Sequence, residues 1–122
     1  MIKKTKGWKV IKRYNRMSFW TSSLGPDFSI WKITYPVNVE VFPNVEGSKL
    51  FFFKDRKDAE KFVFGDVRSS IVPCIATNAV KVKWMGCHVT KLKKFWEKRS
   101  KTTQKNHVPE GTWLADSITC LE

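Results

Sequence analysis

Residues 50–65 read Leu-Phe-Phe-Phe-Lys-Asp-Arg-Lys-Asp-Ala-Glu-Lys-Phe-Val-Phe-Gly, and both secondary-structure periods occur within that one stretch. Four apolar residues in a row, Leu50 to Phe53, read as a strand buried on both faces. The period then changes. Ala59, Phe62 and Val63 stand at i, i+3 and i+4, the apolar stripe of a helix. Asp55 is placed to cap that helix, and Asp58 puts negative charge in its first turn, where the helix dipole favours it. Gly65 supplies the stop.

Upstream the pattern is β-like. Residues 8–13 alternate, with Trp8 and Val10 on one face and Lys9 and Ile11 on the other. Asn15 and Arg16 mark a turn, and residues 17–22 suit the return strand of a hairpin. Leu24-Gly25-Pro26-Asp27 breaks the chain. Residues 30–35 alternate again, and Pro36 and Pro43 flank a segment better suited to a sheet edge than to its centre. Residues 44–48 form a turn. Downstream, 71–76 and 79–84 are strands, 90–98 a second helix, 100–107 a polar basic loop, and 112–121 a terminal strand after the Pro109-Glu110-Gly111 turn. Short consecutive strands ahead of the first helix imply antiparallel pairing. The expected class is α+β: a small antiparallel β-sheet with two helices in a single domain spanning 1–122.

Composition narrows the function. A chain of 122 residues, 42% of them hydrophobic, suits one compact core and excludes a large multidomain enzyme. No run approaches the roughly 18 apolar residues of a membrane span, so no membrane partner is expected. The opening MIKKTKGWKV is basic without a following apolar run, unlike a secretory signal. Three cysteines, Cys74, Cys87 and Cys120, form no disulfide framework and point to reduced thiols in the cytoplasm.

The net charge of +12 is segregated. Residues 1–16 hold Lys3, Lys4, Lys6, Lys9, Lys12, Arg13 and Arg16 and no acid, and residues 81–105 hold nine basic side chains against Glu97 alone. If the fold joins these blocks, they make one positive field that attracts phosphates; a plain solubilising surface is the competing reading. Six Trp, nine Phe and two Tyr exceed what a small core easily encloses, which leaves aromatics for an interface or for stacking on bases. Trp96, set among Lys93, Lys94, Lys98 and Arg99, is the densest such cluster, with ordinary helix packing as its alternative. Gly111 and Thr112 end a turn that can present a backbone N–H and a hydroxyl to an anion, and Asp116 can accept from a ribose hydroxyl or an adenine amine.

Catalytic chemistry has little support. Cys74, Cys87 and His88 match no zinc spacing, and cysteines inside β-like segments are ordinary core residues. Cys87 beside His88 is adjacency in sequence without a third orienting group. Asp55 and Asp58 are explained by the helix start, and no Gly-rich phosphate loop occurs. Neither a cofactor, a metal nor a catalytic residue is expected.

The order of several segments resembles a family. Trp8-Lys9-Val10-Ile11 is followed by a basic turn and Ser18-Phe19, then a Tyr and Pro segment. Gly47-Ser48-Lys49-Leu50-Phe51-Phe52-Phe53 and the acidic and basic run from Asp55 to Phe62 come next. Ile71-Val72-Pro73-Cys74 and Pro109-Glu110-Gly111-Thr112 leading to Ala115-Asp116 complete it. The chain thus resembles small phage-encoded proteins that include the anti-Thoeris sponges, which bind cyclic ADP-ribose derivatives and, in some cases, cyclic oligonucleotides. The resemblance implies a non-enzymatic immune-evasion protein in the cytoplasm of an infected bacterial cell. It also implies a homo-oligomer holding a phosphorylated small molecule at subunit interfaces.

Carried over by position, the family's basic hairpin corresponds to Lys12, Arg13, Arg16 and Ser18, and its C-terminal motif to Gly111, Thr112 and Asp116. Phe19 or Trp96 would stack on a base, with Lys98 and Arg99 beside the latter. The segment 86–105 is more basic than the family's, which suits a more highly charged ligand or a nucleic acid. A basic nucleic-acid-binding module of phage origin is the alternative function.

Overall fold

The structure is a computed structural model, and it describes residues 2–19, 33–44, 48–81 and 111–122. Among these, seven strands form one sheet: β1 (Lys4–Lys12), β2 (Glu40–Val41), β3 (Leu50–Phe53), β4 (Ser69–Thr77), β5 (Val80–Lys81), β6 (Thr112–Ala115) and β7 (Ser117–Cys120). A single helix, α1 (Arg56–Val63), lies among the described residues. Every strand pairing is antiparallel.

The longest ladder joins β1 to β4, from Lys4 opposite Thr77 to Lys12 opposite Ser69. Beyond it, Thr77 faces Ser117 and Val80 faces Leu114, so one register runs through the bends at Asn78 and Asp116. The segments 69–81 and 112–120 are therefore two long bent strands. On its far edge β6 pairs with β3, and β3 meets β1 at Trp8 and Phe53. The circuit β1–β4–β7, through Asp116 to β6, then β3 and back to β1 closes the sheet into a small barrel. Closure removes most of the unpaired edges that a flat sheet would present. The short β2 remains at an edge against β7, between Pro36 and Pro43, as the prolines imply.

Alternation along β1 sorts its side chains into two cores. Gly7, Lys9 and Ile11 face inward. The inner cluster contains Ile11, Tyr35, Leu50, Phe52, Val72, Cys74, Ala76, Ala115, Ile118 and Cys120. Trp8 and Val10 face outward, where Val10, Phe53 and Ala59 form a second cluster with Phe19, Phe62, Val63 and Ile71. The helix stripe thus packs on the outside of the barrel. Its C-terminus is set by Gly65 at φ 76°, one residue past the cap Phe64. Asp55 has the extended backbone of an N-cap, but its side chain makes no capping hydrogen bond.

Gly7 is required by close approach. A Cβ there would lie 2.5 Å from the Phe52 ring and 2.8 Å from the carbonyl oxygen of Phe53. The missing side chain is what lets β1 cross β3 with Phe52 packed beneath it.

Several sequence expectations are corrected in detail. The terminal strand is two strands with a bend at Asp116, because that residue hydrogen-bonds outside the ladder. The return strand of the first hairpin is reduced, among the described residues, to bridges at Met17 and Ser18. Lys9, counted with the surface cations, is buried on the same inward face as Ile11. Cys74 and Cys120 are buried core thiols and cross-strand neighbours. The expected second helix at 90–98, the basic loop at 100–107 and most of the second basic block lie outside the described residues, as does Cys87.

Candidate functional site

The first hairpin turns at residues 13–15, closed by Lys12 N–H donating to Met17 O at 2.8 Å and Arg16 N–H donating to Lys12 O at 2.9 Å. Arg16 takes the left-handed conformation at φ 58°. Arg13 N–H donates to Arg68 O at 2.8 Å, tying the turn to the loop that follows α1. The turn carrying Lys12, Arg13 and Tyr14 is thereby joined at Arg68 to the loop that also holds Phe64 and Val67. Tyr14 is 97% exposed and Phe64 90% exposed, so both rings stand open to solvent. The loop is pinned by Asp66, whose carboxylate accepts from the Arg68 backbone at 2.8 Å and from its guanidinium at 2.9 Å. Those bonds hold the Asp66 carboxyl below the usual carboxylate range and neutralise Arg68. Lys12 and Arg13 remain to supply positive charge on the turn.

Immediately inside the hairpin is a cleft. After Trp8, β1 leaves β3: Ile11 bridges Ser18, and Phe19 N–H donates to Val10 O at 3.1 Å. The change of partner opens a seam lined by Lys9, Val10 and Ser18 on one side and Phe51, Phe52, Phe53 and Thr112 on the other, with Phe62 above. The seam is narrow and partly open to solvent, with an inner volume of about 20 Å³, room for little more than a water molecule. Phe62 is held by the Phe19 ring edge-on at 5.7 Å and by Phe53 at 5.6 Å between centroids.

Lys9 borders the seam, and its ammonium reaches into the core. Lys9 is only 4% exposed. Its Nζ donates to Phe51 O at 2.6 Å and lies 4.8 Å from the centre of the Tyr35 ring. Among the described residues no carboxylate pairs with it. Burial disfavours the charged form and pushes the Lys9 amine down to about 8. The same burial pushes the Cys74 thiol up to about 12, raises Cys120, and raises the Tyr35 phenol well above its ordinary value. Neither thiol is poised as a nucleophile, and among the described residues no cluster of side chains could hold a metal ion.

The residues expected from sequence divide into four places. Lys12 and Arg13 occupy the exposed end, and Ser18, Phe19 and Thr112 lie in or against the cleft. Arg16 is turned to structural work, donating to Tyr35 O at 2.7 Å and to the backbone oxygen of Glu122. Gly111, at φ 83°, packs against the side chain of Asp58, and its position ahead of Thr112 places it beside the cleft. Asp116 does not line the cleft, and its carboxylate accepts from Lys49 and from Asn78 Nδ2 at 2.9 Å. Trp96, Lys98 and Arg99 lie outside the described residues.

Sequence reasoning did not select Lys9, Tyr14 or Phe64 as site residues. The signal for Lys9 was present, since a lysine between Gly7 and Ile11 shares their inward face. Comparison of the chain with protein-family models, curated proteins and solved structures gives no match. No helix among the described residues is long and apolar enough to cross a membrane.

Proposed function

We propose that the protein is a non-enzymatic binder that sequesters a phosphorylated nucleotide, of the cyclic ADP-ribose or cyclic oligonucleotide class of second messengers. In this reading it is a phage-type immune-evasion protein acting as a homo-oligomer in the cytoplasm of an infected bacterial cell. The observation that supports the proposal is the exposed Tyr14 ring on the same hairpin turn as the cations Lys12 and Arg13. Open rings stack on bases, and lysine and arginine neutralise phosphates. The test is calorimetry with cyclic dinucleotides, cyclic trinucleotides and cyclic ADP-ribose isomers, with recovery of the ligand unchanged. Silence across the panel from folded protein retires the proposal.

A second reading, a basic nucleic-acid-binding module, draws on a different observation. Lys4 and Lys6 are exposed on the outward face of β1 and extend the positive surface away from the hairpin, and the whole chain carries +12. Gel shifts on long polymers in rising salt separate the two, because phosphate contacts release counterions and weaken steeply with salt.

A further inference from the structure

We propose that Cys74 and Cys120 are an oxidation site, a pair of core thiols that closes into a reversible intrachain disulfide between β4 and β7 when the surrounding thiol–disulfide balance turns oxidising. The pair lies inside the barrel, so this inference is independent of the nucleotide reading, which uses the hairpin turn.

Strand register carries it. Cys74 and Cys120 stand directly opposite each other in the antiparallel β4–β7 ladder. Opposed residues in such a ladder are of two kinds: pairs that exchange both backbone hydrogen bonds and pairs that exchange none. Leu121 N–H donates to Pro73 O at 2.9 Å, so the residue after Cys120 is bonded to the residue before Cys74. That bond flanks the cysteines and makes theirs the non-hydrogen-bonded kind, in which Cα atoms are about 4.5 Å apart and side chains come closest. A disulfide accepts Cα separations from about 4.4 to 6.8 Å, so the two strands already stand where the bond needs them. Both side chains belong to the inner cluster, Cys74 at 1% and Cys120 at 0% exposure, and both are free thiols.

Burial decides when the bond forms. With β7 docked, a dissolved oxidant has no path to the sulfurs, and burial raises both thiols and keeps them protonated. The bond therefore forms while β7 is undocked, during folding or a local opening. One cysteine thiolate attacks a small-molecule disulfide, here oxidised glutathione, and expels one glutathione thiol, leaving a mixed disulfide. The second cysteine attacks the protein sulfur of that mixed disulfide and expels the other. Two protein thiols are oxidised, one glutathione disulfide is reduced to two thiols, and the two protons pass to the expelled sulfurs. Docking of β7 then holds the sulfurs together, so the fold favours the bond by the same factor as the bond favours the fold. In reducing surroundings the pair stays open.

The test equilibrates the whole protein with mixtures of reduced and oxidised glutathione, in native buffer and in concentrated urea. The native arm is started from both reduced and oxidised protein, so that equilibrium is approached from both sides. Free thiols are then blocked and the chain is cut with trypsin without reduction. Cys74, Cys87 and Cys120 fall in separate tryptic peptides, 69–81, 84–91 and 106–122, so each pairing has its own mass. The linked pair 69–81 with 106–122 is expected to be the main intrachain product in native buffer. At one glutathione ratio, its oxidised-to-reduced ratio is expected to be at least about tenfold higher in native buffer than in urea. The urea midpoint of the oxidised protein is expected to exceed that of the reduced protein and to return to it with dithiothreitol. No variant is required, so a failure to fold cannot obscure the result. A main link through Cys87, a ratio no higher in native buffer than in urea, or an oxidised midpoint at or below the reduced one overturns the proposal.

Discussion

Asn78 Nδ2 donates to the carboxylate of Asp116 at 2.9 Å, across the point where both long strands of the barrel bend. Asn78 takes the left-handed conformation at φ 50°, which asparagine tolerates better than most residues. Lys3 N–H reaches Asn78 Oδ1 at 3.3 Å, Asp116 N–H donates to Thr77 O at 2.9 Å, and Lys49 completes the cluster as the ion-pair partner of Asp116. The carboxylate read from sequence as a ligand contact is thus a latch between the two bent strands.

Asp116→Ala is expected to destabilise the fold by about 1 kcal/mol in urea titrations, the ordinary worth of a largely exposed charge-assisted cluster. The hydrogen bonds from Lys49 and Asn78 hold the Asp116 carboxyl below its usual range. Its contribution is therefore present above the unfolded carboxylate value and lost as pH falls through the folded one. The variant is expected to show a shallower acid limb than the parent, and an unchanged limb would remove Asp116 from the latch.

Lys9 gives the opposite behaviour at the basic end. Its folded value of about 8 lies below the ordinary 10.5, so the unfolded chain binds more protons between those limits and stability rises with pH there. Cys74, Cys120 and Tyr35 have raised folded values, so they lower stability once unfolded thiols and phenols begin to ionise. Stability is expected to pass through a maximum near pH 9. Lys9→Met is expected to gain on the order of 3 kcal/mol at pH 7 and to lose the rising limb. Denaturant midpoints measured from pH 7 to 10 in both proteins check this.

Gly7→Ala is expected to cost about 2–4 kcal/mol through overpacking against Phe52 and the Phe53 carbonyl. Adding Phe52→Leu should recover only part of the loss, because the carbonyl oxygen cannot move aside as a ring can. Full recovery in thermal melts would mean that the ring alone requires glycine.

Charge reversal separates the hairpin cations. Lys12→Glu with Arg13→Glu is expected to reduce nucleotide or nucleic-acid binding at least tenfold with little change in stability. Arg16→Glu is expected instead to destabilise, because the guanidinium is bound to backbone oxygens of Tyr35 and Glu122. Binding unaffected by the double reversal would move the site away from this end of the barrel.

Much of the sheet was legible because it rests on local pattern. The period change at residues 53–56, the stripe Ala59, Phe62 and Val63, and the prolines around β2 each signal their element without help from elsewhere. Barrel closure was not legible, since it depends on which strands meet, and the Trp8–Phe53 contact has no sequence signature. The candidate site was half legible. Ser18, Phe19 and Thr112 were chosen for their chemistry and do gather at one cleft. Arg16 and Asp116 were chosen on the same grounds and are taken up by the fold's own hydrogen bonds. Lys9 was read by charge, whereas its surroundings follow from its phase along β1.

Because residues 112–120 knit β3 to β4, a nascent chain that has produced the first eighty residues still holds a half-built sheet with two raw margins. Contacts that distant in sequence form late and slowly. Until the last strand emerges, those margins are open to any other extended chain, and the cell must shield them or work quickly.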